Sequence, residues 1–331
     1  MRTLYLHIGN HRTATSSIQS FMAANAKTLR TKGILYPYNT SRHLKLMNQL
    51  FNGQKTPQEV AKDLEFRAES KNFDIHSILL SDEDISCRAD LSVLAEFRKY
   101  FNVKVLYCLR RQDLWLESWY FQNVKWQWKP ALCHLTVDEF YAKRAEFAWA
   151  DYKSHIQHLE DLFGRENVLL SVFERGQMPG GPVETFAKTI GLELDDTFTT
   201  PPKRNASLTP VVSEMMRCLP LDEAPTDYRV VFDRACGKVD EIIRATQPES
   251  AGSLILSHEQ RQQVLDEHAA GNAWVAKRYF DRPDLFLDPV PGETAQVSEL
   301  KLPADSYEMM ETLVAPLVRA LINAHIAKSK Q

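Results

Sequence analysis

Eleven residues near the start of the chain, His7-Ile8-Gly9-Asn10-His11-Arg12-Thr13-Ala14-Thr15-Ser16-Ser17, carry the types that bind an anion. Gly9 lets the backbone turn sharply after an apolar stretch. Arg12 brings a permanent cation. Thr15, Ser16 and Ser17 put hydroxyls where a helical pattern begins, and a helix N-terminus already favours negative charge through its unpaired N–H groups and its dipole. Each charge-assisted hydrogen bond to a phosphate there contributes about 1.5–3 kcal/mol. The plainer alternative is an ordinary hydroxyl N-cap with no ligand. The spacing is not that of a nucleoside-triphosphate loop, which needs a second Gly followed by Lys and then Ser or Thr. Here Ala14 and Thr15 stand where that Gly and Lys would be, and the cation comes earlier, at Arg12.

The elements that must hold this loop are legible from periodicity. Thr3 to Ile8 predicts a buried strand, and a helix follows from Thr15 with Ile18, Phe21, Met22 and Leu29 on one face and Gly33 as its stop. Residues 42–73 predict helix interrupted at 53–57. Further strands are expected at 75–80, 103–109 and 168–172, with helices at 91–100, 113–128 and 137–163 between them. Strands alternating with helices imply an α/β fold, a parallel sheet flanked by helices in a three-layer core. From 207 onward the pattern is helical only (208–219, 227–245, 257–280, 305–327), with an irregular proline-bearing connection at 281–304. One domain is expected, with an α/β core over 1–205 and a helical C-terminal portion over 206–331.

The order of residues in the first loop resembles the 5′-phosphosulfate loop of sulfotransferases that use 3′-phosphoadenylyl sulfate (PAPS), especially bacterial ones. A second segment, Val105 to Tyr120, is similar to the 3′-phosphate segment of the same family, in which an Arg ends a strand and a Ser lies eight positions on. Arg110 and Ser118 have that spacing. An Arg at a strand's C-terminal end points into the crevice where open α/β sheets bind ligands. Weaker likenesses lie at Leu79 to Glu83, at Lys203 to Leu208 and at 272–286. The resemblance implies a P-loop-like fold. It also implies a donor site made of Gly9, Arg12, Thr13, Ala14, Thr15, Ser16 and Ser17 for the 5′-phosphate and sulfonate, and of Arg110 and Ser118 for the 3′-phosphate, with Arg204 as an extra clamp. Two positions depart from the family pattern: Arg12 replaces a Lys, and Ala14 replaces a Gly that needs positive φ.

Sulfonate transfer to a hydroxyl needs an in-line acceptor, a base for its proton and cations on the departing charge, but no metal. Arg12 is the expected cation and Glu83, just past the second predicted strand, the expected base. Asp82 and Asp84 beside it leave a second possibility, three solvated turn residues. His43 and His11 are the alternative bases, and His7 is expected to orient the loop. The acceptor is a small molecule or carbohydrate that the sequence does not identify. Two other functions remain open: a kinase, with Asp82 and Glu83 as a magnesium-holding pair, and a nucleotide-binding protein without catalysis.

The composition agrees with a globular enzyme: 331 residues, 44% hydrophobic and 25% charged, with a net charge of −3. That charge argues against nucleic acid as a partner. Cys87, Cys108, Cys133, Cys218 and Cys236 form no C-x-x-C pair and are expected to be reduced thiols. No leader and no membrane span are expected, and the expected location is cytoplasmic. The sequence does not address the oligomeric state.

Overall fold

The computed structural model describes residues 1–201, 208–247 and 254–328. In chain order the elements are β1 (Thr3–Gly9), α1 (Thr15–Ala24), α2 (Ala26–Thr31), β2 (Ile34–Leu35), α3 (Leu44–Phe51), α4 (Pro57–Glu69), β3 (Ser77–Ser81), α5 (Ser92–Ala95) and β4 (Asn102–Leu109). There follow α6 (Gln112–Trp126), α7 (Pro130–Cys133), α8 (Val137–Ala142), α9 (Tyr152–Phe163), β5 (Val168–Val172) and α10 (Gly181–Thr189). The last are α11 (Pro210–Cys218), α12 (Thr226–Thr246), α13 (His258–Phe280), α14 (Ser306–Met309) and α15 (Ala315–Lys328). Two compact units result. The first comprises Met1–Arg111, Phe147–Arg204 and Glu267–Pro289; the second comprises Gln112–Glu146, Asn205–Asp266 and Val290–Gln331.

The first unit is the α/β unit. Its strands run in the order β2-β3-β1-β4-β5, every neighbouring pair parallel. Successive residues of a strand face opposite sides, so two separate cores form. Leu4, Leu6 and Ile8 join Ile78, Leu80, Val105 and Leu109 on one side, under α3, α4, α9 and the end of α13. Tyr5, Leu79 and Leu106 face the other side, under α1, α2 and α10. The four predicted strands are present, and helices cover both faces as expected. The edge strand β2 has only two residues, too few to show a period. Helix α10, opening on Gly-Gly-Pro, and the short α7 are likewise absent from the sequence reading.

Two predicted helices are shorter than their periodicity suggests, and polar caps explain both. Asn25 ends α1 because its side-chain amide donates to Phe21 O and Thr199 O, at 2.9 and 2.8 Å, and accepts from Thr199 N at 2.7 Å. The stretch 137–163 divides because the Asp151 carboxylate caps α9 by accepting from Ser154 N. No helix among the described residues is long and apolar enough to cross a membrane.

The second unit is helical, and a buried ion cluster ties its first helix to the start of α13. Arg261 pairs with Asp113 at 2.5 Å and with Glu117 at 2.8 Å, and all three are at least 96% buried. Glu117 also accepts the N–H groups of Ile255 and Leu256. Arg261→Leu removes the cation and leaves two buried carboxylates behind. The expected loss is about 3–5 kcal/mol, read as a lower urea midpoint with unchanged slope. A loss under 1 kcal/mol contradicts the role given to this cluster.

Candidate functional site

The sheet order places β1 between β3 and β4. Three strand ends therefore leave the sheet side by side, and this is the switch-point crevice of an open α/β sheet. The loop after β1, the acidic turn after β3 and Arg110 after β4 share that edge. Asp82 N–H donates to His7 O at 3.0 Å and Asn10 N–H to Cys108 O at 3.3 Å, which continues the ladders past the strand ends.

Gly9 closes β1 at φ +94°, and a Cβ there would stand 2.9 Å from Glu83 Cβ. The backbone of the loop thus packs directly on Glu83. Arg12 and Ala14 both lie in the left-handed region, at φ 64° and 61°. Each such non-glycine residue costs roughly 1–2 kcal/mol. The Thr13 hydroxyl donates to Asn10 O at 2.6 Å, and Ser17 and Ile18 N–H return to Ala14 O to close the first turn of α1. The N-cap is Ala14, which has no side-chain oxygen to offer. The hydroxyl-cap alternative is therefore not what the chain adopts, and the start of α1 keeps its bias toward an anion. Thr15 is buried while Ser16 and Ser17 are exposed. Asn10 is fully buried, with neither side-chain amide atom in a well-formed hydrogen bond.

Two of the three acids in the turn are withdrawn from solvent, and Asp84 is partly exposed. Asp82 is 0% and Glu83 7% exposed. Arg42, just before α3, reaches all three acids: Asp82 at 2.6 Å, Glu83 at 3.3 Å and Asp84 at 2.7 Å. Gln19 of α1 donates to Glu83 Oε2 at 2.5 Å and to Ser81 Oγ at 3.2 Å. His11 Nε2 lies 3.0 Å from Asp84 Oδ1. Burial raises Asp82 to about 6 against the pull of Arg42. Burial also opposes ionisation of Asp84, but His11 and Arg42 outweigh it and hold this carboxyl well below its usual range. His11 is raised to about 9: burial alone would lower it, and the hydrogen bond to Asp84 prevails.

The cationic side of the edge is equally built. An Arg110 Nη donates to Arg12 O at 2.7 Å, and its guanidinium lies 5.4 Å from the centre of the Phe173 ring. Tyr152 bonds both the N–H and the carbonyl of Arg110. Burial, then the neighbouring Arg110, lowers the Arg12 pKa to about 10, and an anion beside the two guanidinium groups would offset this by favouring their charged forms. Arg111, by contrast, is 3% exposed and donates to Asp288 O.

The structure thus brings together Gly9, Arg12, Thr13, Ala14, Glu83 and Arg110, with Thr15 to Ser17 at the start of α1. His43 sits apart in role: Ser81 N–H donates to its Nδ1 at 3.0 Å, its Nε2 faces Pro37 O at 3.1 Å, and burial lowers its pKa to about 4. Ser118 belongs to the second unit, where it is buried on α6. Arg204 lies outside the described residues. Arg42, Gln19 and Tyr152 were not foreseen. Their partners are 40, 64 and 42 positions away, and no local pattern signals contacts at that range.

No family model matches the chain. It is 25% identical over 210 residues to an uncharacterized protein of Archaeoglobus fulgidus, covering 60% of this chain. The match takes in 52% of that protein, so the chain spans about half the length of this relative. Similar solved structures include a sulfotransferase from Alicyclobacillus acidocaldarius, with 17% identity and a TM-score of 0.41 over 62% of this chain and 87% of that one. Another is the sulfotransferase domain from the curacin biosynthetic pathway, with 12% identity and a TM-score of 0.36 over 62% of this chain and 79% of that one.

Gly9→Ala forces both a strained φ and a clash with Glu83. Gly53→Ala is the control, since Gly53 is also left-handed, at φ +68°, but has nothing within 4 Å of an added Cβ. We expect Gly9→Ala to lose about 1–3 kcal/mol more than Gly53→Ala in urea unfolding. Equal losses would show that the loop does not rest on Glu83.

Buried histidines set the pH response. His7, His43 and His155 are lowered from 6.5 to about 4, chiefly by burial. The unfolded chain takes up these protons near pH 6.5 while the fold refuses them. Stability is therefore full above 6.5 and is lost as pH falls toward 4. Asp82, raised to about 6, works in the other direction, but it is one group against three. His11, raised to about 9, stabilises fully below 6.5 and loses that contribution as pH rises to about 9. Melting temperature should peak near neutral pH and fall on both sides. His11→Gln should flatten the alkaline limb, and an unchanged limb would remove His11 as its cause.

Proposed function

We propose that this protein is a sulfotransferase that moves a sulfonate group from PAPS to a hydroxyl or amine acceptor, a small molecule or carbohydrate. The observation that carries the reading is the hydrogen bond from Arg110 to the carbonyl of Arg12. It joins the two segments that resemble the donor-binding motifs, 98 positions apart, into one cationic corner beside a helix N-terminus with no side-chain cap. The residues present suit a bisphosphorylated nucleotide: two guanidinium groups, the hydroxyls of Thr15 to Ser17 and the buried amide of Asn10.

The donor supplies the sulfonate, whose S–O bond to the 5′-phosphate breaks as the acceptor oxygen bonds to sulfur. Arg12 and the first turn of α1 hold the sulfonate and the charge left on that phosphate. Arg110 holds the 3′-phosphate. Glu83 takes the acceptor's proton, positioned by Gln19 and by the Gly9 backbone. It is a better base than His43, whose ring nitrogens already face backbone groups. A kinase would need Asp82 beside Glu83 to hold magnesium, and Asp82 is fully buried and paired with Arg42. The five free cysteines suit a cytoplasmic setting.

Adenosine 3′,5′-bisphosphate should bind about 10–100-fold more tightly than AMP, by the range of a charge-assisted hydrogen bond. Arg110 also pins the loop, so Arg110→Ala should weaken both nucleotides while the preference between them collapses. Calorimetric titration of native protein and variant reads this ratio. Equal affinities in the native protein would overturn the assignment. Transfer of labelled sulfonate without magnesium, lost by roughly 10²–10⁴-fold in Glu83→Gln, would separate the enzyme from a kinase and from a binding protein.

A further inference from the structure

Within the second unit, Cys133, His134 and Asp222 bring a sulfur, an imidazole nitrogen and a carboxylate oxygen within 4.8 Å of one another. Cys133 ends α7, His134 follows it, and Asp222 stands in the 3-10 turn Leu221–Glu223 beyond α11. His134 Nδ1 lies 2.7 Å from Arg217 O, so Nδ1 carries the ring proton. In a neutral ring Nε2 then presents its lone pair to Asp222 Oδ1 at 3.0 Å. Two acceptors facing each other at that distance need a cation between them. A proton would serve. A metal ion would serve as well, because zinc bonds of about 2.0–2.2 Å at a tetrahedral angle set two donors about 3.3 Å apart.

The third donor favours the metal. Cys133 is fully buried, and its thiol makes one long contact with Pro130 O, at 3.7 Å. As a thiolate it completes a sulfur, nitrogen and oxygen set of the kind zinc takes, with a fourth position open. A backbone carbonyl on Nδ1 is the orientation that outer partners give a metal-binding histidine. The ligands are also held in place from behind. Arg217 donates to His134 O at 2.8 Å while Glu214 pairs with its charge, and Asp222 N–H donates to Gln127 Oε1. We propose that Cys133, His134 and Asp222 bind one divalent transition-metal ion of the zinc class, joining the end of α7 to the turn after α11. Binding releases the thiol proton and any proton on the imidazole, and the charges of thiolate and carboxylate balance the ion.

The test is titration of the full chain, stripped of metal and kept in a non-thiol reductant, with cobalt(II). One equivalent should produce the visible bands of tetrahedral cobalt and a near-ultraviolet thiolate-to-cobalt charge-transfer band. Zinc(II) should displace it and raise the melting temperature. Cys133→Ser should abolish the charge-transfer band and weaken zinc binding at least tenfold. Cys218→Ser, which changes an exposed thiol nearby in sequence, should leave both intact. Asp222→Asn should weaken binding while keeping the charge-transfer band, which covers the case in which Cys133→Ser does not fold. Absence of the band in the native protein, or its survival in a folded Cys133→Ser protein, overturns the site and leaves an imidazolium–carboxylate ion pair.

Discussion

Strand β1 is hydrogen-bonded on both sides, to β3 and to β4, and charged residues follow both of those strands. That pairing decides where the chemistry can sit. Thr3 pairs with Ser77 on one side and Asn102 on the other, so the three strands enter the sheet level. The register shift between His7 and Gly9 against β4 then turns the loop over the sheet edge. Gly9 has to be a glycine because Glu83, on the neighbouring strand's exit, occupies the space of a side chain. A carboxylate and a pair of guanidinium groups come to lie along one edge although 27 residues separate Glu83 from Arg110.

The electrostatics of that edge divide into two neighbourhoods. On the β3 side three acids share Arg42 and His11, so the turn carries little net charge despite its composition. Low dielectric makes such buried pairing obligatory, because an unpaired carboxylate at 0% exposure would simply protonate. On the β4 side burial, and then the neighbouring Arg110, depress Arg12 instead. Glu83 belongs to the first neighbourhood and its backbone touches the second through Gly9. In the proposed transfer, this arrangement would set Glu83 to take the acceptor's proton beside the two guanidinium groups.

Much of this was legible in the sequence, and the rest was not, for reasons that lie in the range of the interactions. The four longer strands, the loop and the positive φ of residue 14 follow from local pattern and from the identity of a missing glycine. Arg110 follows from its place at a strand end. The two-residue β2 has no period to read. Asn25 and Asp151 look like ordinary polar residues within helical stretches, and they become helix ends only through hydrogen bonds that the fold supplies. Arg42 is the instructive omission. Nothing within ten residues marks it, yet it pairs with all three acids of the run, of which Asp82 and Glu83 are buried. Sequence pattern reports what a residue prefers nearby, whereas a buried ion pair reports what the sheet brings to it.

The two departures in the first loop can now be weighed together. A glycine would enter the left-handed region at positions 12 and 14 without strain, and this chain places arginine and alanine there. At roughly 1–2 kcal/mol each, something must hold the loop in shape. The structure offers two such restraints: the Arg110 hydrogen bond to Arg12 O, and the Thr13 hydroxyl bond to Asn10 O, which straddle the strained residues. Arg12 therefore contributes both a charge and a carbonyl that Arg110 can grip. Alanine at 14 restricts the unfolded chain more than glycine would, so part of the strain is offset before folding begins. The loop is thus held in shape by one restraint of its own, Thr13 to Asn10, and by one from outside, Arg110, whose guanidinium also carries the charge that a phosphate would meet in the proposed reaction.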